Sequence, residues 1–499
     1  MVTAGTIAAL LDECAAQRPN RPLLLDASGV SLTVGDVAAL VSAATGWLWK
    51  SGVRPGMTVA WQLPSDPGAA VIMLALARAA VTQAPLLHLY REREVRAALD
   101  VASADILIVD RSTASNAPPR ADTIVVPDDL IQRLGRQGDA EPHNGLCGHR
   151  ADDAAYWLYF TSGTTGKPKG VCHDDTTLLS ASRGFVDHYG LGSLPDEVGT
   201  ITFPIAHVGG LVYLAGALLG DFPVLLIPKV SDDLPEVLAS HRVTVAGAST
   251  TFYQMLLSAQ LASGRAEPLI PTLRMIIGGG AACPPEVHRQ IRRSMGIPIM
   301  HAYGMTEAPM VCVSHHGDSE EQLHNTSGRP VPGAHVRISE CGEIEVCGDT
   351  LGRGYTDAEQ WAQALSADGW FRTGDRGRLR ADGHIVVTGR TKDLIIRKGE
   401  NIAPEEIEND LLAHPLVDEV AVVGLRDEFR GEMVCAVVRR SLSHPDITFD
   451  ELCAFLDERG LMKQKWPERL VVVDELPMTG LGKVAKSHLA QQISAGAIR

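Results

Sequence analysis

Residues 159–171, YFTSGTTGKPKGV, constrain this chain more than any other stretch. The apolar run 157–160 reads as a strand end that carries the backbone into a loop. The loop holds Gly163, Gly166 and Gly170, the hydroxyls of Thr161, Ser162, Thr164 and Thr165, and the cations Lys167 and Lys169. Glycine admits tight conformations and close approach, so such a loop can turn its backbone N–H groups toward an anion. Hydroxyls add donors and the lysines add charge, and together they make a cradle for a polyphosphate. It is not a Walker loop, which needs G-x-x-x-x-G-K-[ST]. Here Gly163 and Gly166 are three apart, and Pro168 follows Lys167. Surface turns of similar composition are common, so the full wording of the stretch carries the reading.

A chain of 499 residues exceeds one ordinary core, and two or more domains are expected. Hydrophobic residues make up 45% and charged residues 21%, which supplies a large core and argues against disorder. The net charge of −15 speaks against a nucleic-acid surface. An anionic nucleotide would therefore need its own local basic pocket. The nine cysteines contain no C-x-x-C pair, as expected for reduced thiols in a cytoplasmic protein rather than a disulfide frame or zinc site. His315 and His316 are adjacent rather than at a ligand spacing. Residues 1–19 lack a basic leader region and carry two acids, so they read as a soluble amphipathic helix. The most apolar segment, 69–81, contains Arg78 and is short for a membrane span, so it reads as a buried helix.

From 32 to 110 strand and helix patterns alternate, with helices at 34–50 and 92–102 and strands at 58–63 and 106–109, which implies parallel sheet. Residues 111–150 are polar and read as a surface excursion with one short strand at 123–126. After the glycine-rich loop a helix is expected at 176–189. The stretch FPIAHVGG, 203–210, then leads into an apolar helix. Alternation continues to a strand at 274–277 ending in Gly278-Gly279-Gly280, a helix at 285–295 and a strand at 299–301. From 336 the texture changes to short strands with glycine turns, a small β subdomain ending near Gly389. The last ~110 residues have a helix–strand rhythm of their own, enough for a separate small domain.

Three further constellations carry chemistry. Tyr303-Gly304-Met305-Thr306-Glu307 places an aromatic, a hydroxyl and a carboxylate just past a strand. These can stack on a base, bond a phosphate and hold Mg²⁺ through oxygen. Trp370-Phe371-Arg372-Thr373-Gly374-Asp375 puts a carboxylate on a turn, where it can accept from both hydroxyls of a diol. Pro477-Met478-Thr479-Gly480-Leu481-Gly482-Lys483 sets a lysine on a glycine-rich loop. Such a lysine can stabilise negative charge that builds at a phosphate. Composition alone does not separate Lys483 from Lys486.

The wording of 159–171 resembles the phosphate loop of the adenylate-forming (ANL) superfamily, which includes acyl- and aryl-CoA synthetases, peptide-synthetase adenylation domains and firefly luciferase. The segments 303–307, 370–375, 389–393 and 477–483 match further motifs of that superfamily in the same order. The resemblance covers about residues 10–490. It implies an α/β protein with a large N-terminal domain of packed sheets and a small β subdomain, 1–391, and a small mobile C-terminal α+β domain, 392–499. It also implies an acid–CoA ligase that joins a carboxylate to ATP as an acyl-adenylate and then passes it to a thiol after the lid rotates.

Carried over by motif, Lys483, Thr306 and His207 are the expected catalytic residues and Glu307 the Mg²⁺ ligand. Thr161, Ser162, Gly163, Thr164, Thr165 and Lys169 would hold phosphates. Gly279, Gly280, Ala281, Tyr303 and Gly304 would flank the adenine, which Tyr303 stacks on. Asp375 and Arg390 would hold the ribose. Lys392 falls at the hinge, and Lys398, Gly399 and Glu400 at the pantetheine tunnel of CoA. Many relatives have a small residue where this chain has Arg397 and a glycine where it has Lys398; those changes would add cations near a CoA phosphate. His207 is either a gate of the acid pocket or an ordinary loop histidine. The wording of 89–99 and of YGMTEAPM looks most like ligases of medium-chain or cyclohexanecarboxylate-type acids, so an apolar acid is expected. The expected partners are small molecules, namely the acid, ATP and CoA. A carrier protein as thiol acceptor, a silent nucleotide-binding member and a homodimer remain open alternatives.

Overall fold

The computed structural model describes residues 4–119, 122–136, 157–162, 168–248, 250–280, 283–397, 400–427, 431–441, 445–478 and 484–498. Among the described residues, four β-sheets lie before residue 391 and one after it.

The largest sheet has seven strands in the order Gly354–Tyr355, Pro168–His173, Trp157–Ser162, Thr82–Pro85, Thr58–Gln62, Ile106–Val109 and Thr123–Val125. From Trp157–Ser162 onward the pairs are parallel, whereas Pro168–His173 and Gly354–Tyr355 run antiparallel to their neighbours. The helix Pro67–Arg78 packs on this sheet with almost every side chain buried, as its unbroken apolar run requires. Asp66 caps it through the Ala69 N–H, and Pro67 occupies the first turn, where no N–H is missed. No helix among the described residues is long and apolar enough to cross a membrane.

A second sheet carries the parallel strands Val245–Ala248, Met275–Gly279 and Ile299–Tyr303, followed by two short antiparallel strands. A four-stranded antiparallel sheet, Ala334–Ile338, Glu343–Gly348, Phe371–Leu379 and Ile385–Arg390, follows. The last sheet contains Ile395–Arg397, Glu400–Ile402, Gly431–Arg439, Val420–Asp427 and Arg469–Val473. Together with Pro404–Leu411 and Phe449–Glu458 it closes its own core around Ile395, Ile407, Val422, Val434 and Leu452. Only the short turn Thr391–Asp393 and Leu394 join the two sets of sheets.

Three local expectations change. The stretch after the glycine-rich loop is a strand, Pro168–His173, before the helix Asp175–Tyr189 begins. The loop therefore joins a hairpin rather than a strand to a helix. Val171 and His173, two apart, are both buried on either side of the less buried Cys172. Within the polar stretch 111–150 a helix forms at Leu130–Arg136, anchored by buried Leu130 and Leu134; two apolar residues four apart suffice when the core is beside them. Asp375 lies in the strand Phe371–Leu379 and not on a turn. Gly374, at φ +75°, puts a kink into that strand, and the pairing with Glu343–Gly348 shifts register there. A β-bulge re-aims the following side chain, and Asp375 turns inward to become buried.

Candidate functional site

The glycine-rich loop stands on two paired strands. Thr161 faces Lys169 and Phe160 faces Gly170 across the hairpin. Gly163, Thr164 and Thr165 lie outside the described residues, as do Ala281, Lys398, Gly399 and Lys483. Nothing is described of the Ser162 and Glu400 side chains. Lys169 points across the sheet edge, with Nζ 5.1 Å from the centre of the Tyr355 ring. Its charge also helps to hold the Asp357 carboxyl low, after the hydrogen bonds that Asp357 accepts from Gln360.

The parallel strands Met275–Gly279 and Ile299–Tyr303 end side by side, with Gly279 opposite Ala302. Ligands of open parallel sheets collect outside such C-terminal strand ends. A Cβ on Gly279 would lie 2.0 Å from the Ala302 carbonyl oxygen, and one on Gly304 2.2 Å from that of Pro309. Both glycines are thus required by close backbone approach. Gly280, at φ +84°, has open space where a Cβ would stand.

Tyr303 is the last residue of its strand and is largely buried. Its Oη donates to Asp375 Oδ2 at 2.8 Å, and Arg390 Nε donates to Asp375 Oδ1 at 2.7 Å. Asp375 and Arg390 are register partners on adjacent strands, which explains why residues fifteen apart meet. Thr373 Oγ1 accepts from the Asp375 N–H and donates to the Ile344 carbonyl, so the kinked strand is fixed at this point. Tyr303, Asp375 and Arg390 therefore form one cluster, held together before any ligand is considered.

The Thr306–Glu307 turn is fastened from three sides. Met305 and Ala308 exchange backbone hydrogen bonds. His173 Nε2 lies 2.7 Å from the Thr306 carbonyl oxygen, and its Nδ1 lies 3.0 Å from Thr177 Oγ1. Burial pushes the His173 imidazole down to about 4, so it is neutral at pH 7, with the proton on Nε2 donated to Thr306. The Gly352 N–H donates to the Glu307 carbonyl at 2.7 Å. Tyr355 Oη donates to Glu307 Oε1, also at 2.7 Å. Tyr355 pairs with Val171 on the strand leaving the glycine-rich loop, so this phenol links that strand, Lys169 and the Glu307 carboxylate.

His207 is the N-cap of the helix Val208–Gly220, and its Nδ1 accepts from the Gly209 N–H at 3.1 Å. That bond leaves the ring proton on Nε2. His207 and Thr306 line one small cavity of ≈ 30 Å³, together with Leu87, Tyr90, Tyr159 and Phe160 among others. About one water would fill it. The expected catalytic residues His207 and Thr306 are thus brought together at one cavity.

Arg397, the other cation expected near CoA, is engaged within the C-terminal unit. Arg397 donates to Glu468 Oε1 from Nε and Nη2 and to the Gln464 carbonyl. Its charge is consumed inside the C-terminal unit. Lys392 is exposed on the short turn between the sheets. Lys486, which composition could not separate from Lys483, is mostly buried, with Nζ 2.8 Å from Glu408 Oε1. Sequence reasoning passed over His173 and Tyr355, and it assigned no role to Thr373 within the 370–375 motif. Gly354-Tyr355 carried a faint signal as an aromatic following a glycine turn, and His173 carried none.

No group of three or more His, Cys, Asp or Glu among the described residues could hold a metal alone. A hard divalent cation here would take Glu307 and complete its shell with ligand oxygens and water, as Mg²⁺ does at phosphate sites.

The chain matches known proteins along most of its length. Residues 11–356 match the model of the AMP-binding enzyme family, and residues 406–483 that of the AMP-binding enzyme C-terminal domain. The medium-chain fatty-acid–CoA ligase of Escherichia coli is 29% identical, over 98% of this chain and 90% of its own length. The salicyl-AMP ligase / salicyl-S-ArCP synthetase of Mycobacterium tuberculosis is 31% identical, over 98% of this chain and 91% of its own. Among solved structures, ATP-bound MatB from Rhodopseudomonas palustris superposes with a TM-score of 0.86 at 27% identity, covering 98% of this chain and 99% of that one. The two ligases are named for chemically different acids, a medium-chain fatty acid and salicylate.

Proposed function

This chain belongs to the AMP-binding enzyme family, and from that premise we propose that it is an ATP-dependent acid–CoA ligase working through an acyl-adenylate. The observation that carries the reading is the pre-built cluster of Tyr303, Asp375 and Arg390 beside a phosphate-loop hairpin whose outgoing strand is tied to Glu307. Asp375 accepts the ribose hydroxyls on its remaining lone pairs while Arg390 fixes its orientation. Tyr303 presents its ring to the adenine. The N–H groups and hydroxyls of 161–169 receive the phosphates, and Lys169 supplies charge there. Glu307 is the residue that would hold Mg²⁺, which neutralises phosphate charge when bound. The carboxylate of the acid, lying between His207 and Thr306, attacks the α-phosphorus in line, and pyrophosphate leaves. Lys483 stabilises the charge that builds on the α-phosphate in that transition state.

We place the boundary between the two units at 391/392, with Lys392 as the pivot. A turn joining two sheets with separate cores supports it. Rotation about that pivot would withdraw Lys483 and bring 398–400 toward the thiol of CoA. The acid we propose is apolar in body, medium-chain or alicyclic, since Leu87, Phe160 and Val208 are among the walls beside His207. Loading of a carrier protein is the second reading, supported by the likeness to a salicyl-S-ArCP synthetase.

The deciding experiment measures pyrophosphate release with ATP and Mg²⁺ across linear, alicyclic, aromatic and steroid-derived acids, with and without CoA. CoA-dependent turnover with one class supports the ligase. Release indifferent to CoA favours the carrier-protein reading. ATP binding without release from any acid refutes both.

A further inference from the structure

The walls around His207 contain polar atoms that the protein itself leaves unused. Tyr159 lines the cavity shared by His207 and Thr306, and the residue is only 3% exposed. Its hydroxyl is buried and has no hydrogen-bond partner among the described residues. Tyr213 stands behind the same wall, on the helix that His207 caps. The ring of Phe203 packs edge-on against both, 6.1 Å from His207 and 5.7 Å from Tyr213. The Tyr213 hydroxyl is equally buried and equally without a partner. It rests in space that opens because residue 247 is glycine: a Cβ there would lie 2.7 Å from Tyr213 Oη.

Tyrosine hydroxyls in cores usually find an acceptor, because a stranded one loses its hydration with no return. One stranded phenol in the wall of the pocket, and a second behind Phe203, are therefore a signal. Burial drives both phenols far above their ordinary range, so both remain protonated donors at any working pH. None of the residues around the cavity is lysine or arginine. A second carboxylate would therefore be buried without a counter-charge. An ammonium would likewise meet no carboxylate among those residues.

We propose that Tyr159 and Tyr213 are specificity residues that donate hydrogen bonds to a neutral oxygen, of a ketone, ether or hydroxyl, carried on the hydrocarbon body of the acid. This rests on the acid-activating reading above and sharpens it from an apolar acid to an oxygenated one. The cavity holds about one water as it stands, so Phe203 and the tyrosines must turn aside to admit the acid. Such a rearrangement would open the pocket toward the two hydroxyls. A site that donates to a substrate oxygen discriminates strongly against the analogue lacking it, because its own buried donors are then left unpaired.

The test uses the full-length protein and pairs of monocarboxylic acids with the same carbon skeleton, with and without a ketone on the chain or ring. The readout is ATP–pyrophosphate exchange for the wild type, Tyr159→Phe and Tyr213→Phe. We expect the wild type to favour the keto member by about tenfold or more in kcat/KM. Each Phe variant should lower that preference through a loss of kcat/KM for the keto member. Urea midpoints of both variants should equal or exceed that of the wild type, since no native partner is lost. Equal use of both members of every pair overturns the proposal, as does a preference that survives both substitutions. A marked drop in midpoint also overturns it, since the hydroxyls would then serve the fold. Silence with every acid, in a protein that still binds ATP, overturns the acid-activating reading and this proposal with it.

Discussion

Replacing Asp375 separates what this carboxylate does for the fold from what it does for a nucleotide. Asp375→Asn keeps shape and both hydrogen-bonding neighbours. The amide oxygen can accept from Arg390 Nε, and the amide N–H can donate to Tyr303 Oη, which turns its own proton elsewhere. What is lost is the charge. A hydrogen bond to an ionised group is worth roughly 1.5–3 kcal/mol against about 1 for a neutral one. The Arg390 side chain is 44% exposed, so solvent screening trims that difference, and we expect a loss of about 1 kcal/mol in stability. Asp375→Ala also strands the Tyr303 hydroxyl in a largely buried position and deprives Arg390 of its partner, for a loss of about 2–4 kcal/mol. Toward ATP the order is different. If Asp375 receives the ribose diol, the amide offers one acceptor oxygen in place of two, and both variants should raise KM for ATP by about 10–100-fold, each tenfold being about 1.4 kcal/mol. Urea midpoints and pyrophosphate-exchange kinetics supply the two readouts. Asp375→Asn with a wild-type KM for ATP would refute the assignment, and Asp375→Ala as stable as Asp375→Asn would refute the account of the cluster.

Lys483→Ala should cut adenylate formation by orders of magnitude while leaving ATP binding by equilibrium dialysis nearly intact; unchanged single-turnover rates would remove Lys483 from the mechanism. Tyr355→Phe removes the hydroxyl that holds Glu307 Oε1, and it should raise the Mg²⁺ concentration needed for half-maximal exchange by about tenfold, with little change in KM for the acid. His173 and His301 are held down to about 4 and His288 to about 3, in each case chiefly by burial. The folded values lie below the unfolded ones near 6.5, so the stability involved is complete above about pH 6.5 and is lost as pH falls toward 4. At about 1.4 kcal/mol per unit of depression, the urea midpoint should drop steeply between pH 7 and 5, and a flat profile would show that these rings are not neutral in the core.

The fold was legible where hydrophobic period and turn chemistry agree. The helices Val34–Lys50, Glu92–Ala102 and Pro285–Met295 have the bounds that their patterns predict. The strand Pro168–His173 was harder to see, because its pairing partner lies across a loop rich in glycine and hydroxyls and two prolines or glycines stand in its six residues. The Asp375 cluster illustrates the limit for the site. The motif could name Asp375 and Arg390, but register pairing across a bulged strand decides that they touch. The roles of His173 and Tyr355 were hidden for a related reason: each acts on a residue far along the chain, through a carbonyl and a carboxylate that only the assembled sheet brings near.

The crowded glycines limit how such a protein can be redirected. Side chains at 247, 279 and 304 would run into the carbonyl oxygens of Ile277, Ala302 and Pro309 at about the length of a covalent bond plus half an ångström, 2.0–2.2 Å. Those strand ends are closed to change whatever acid is demanded. Variation, natural or engineered, is left with the side chains in and behind the wall of the His207 cavity: Phe203, His207, Tyr213 and Tyr159. A library aimed at new acids would gain most by varying these four together and leaving the glycines fixed.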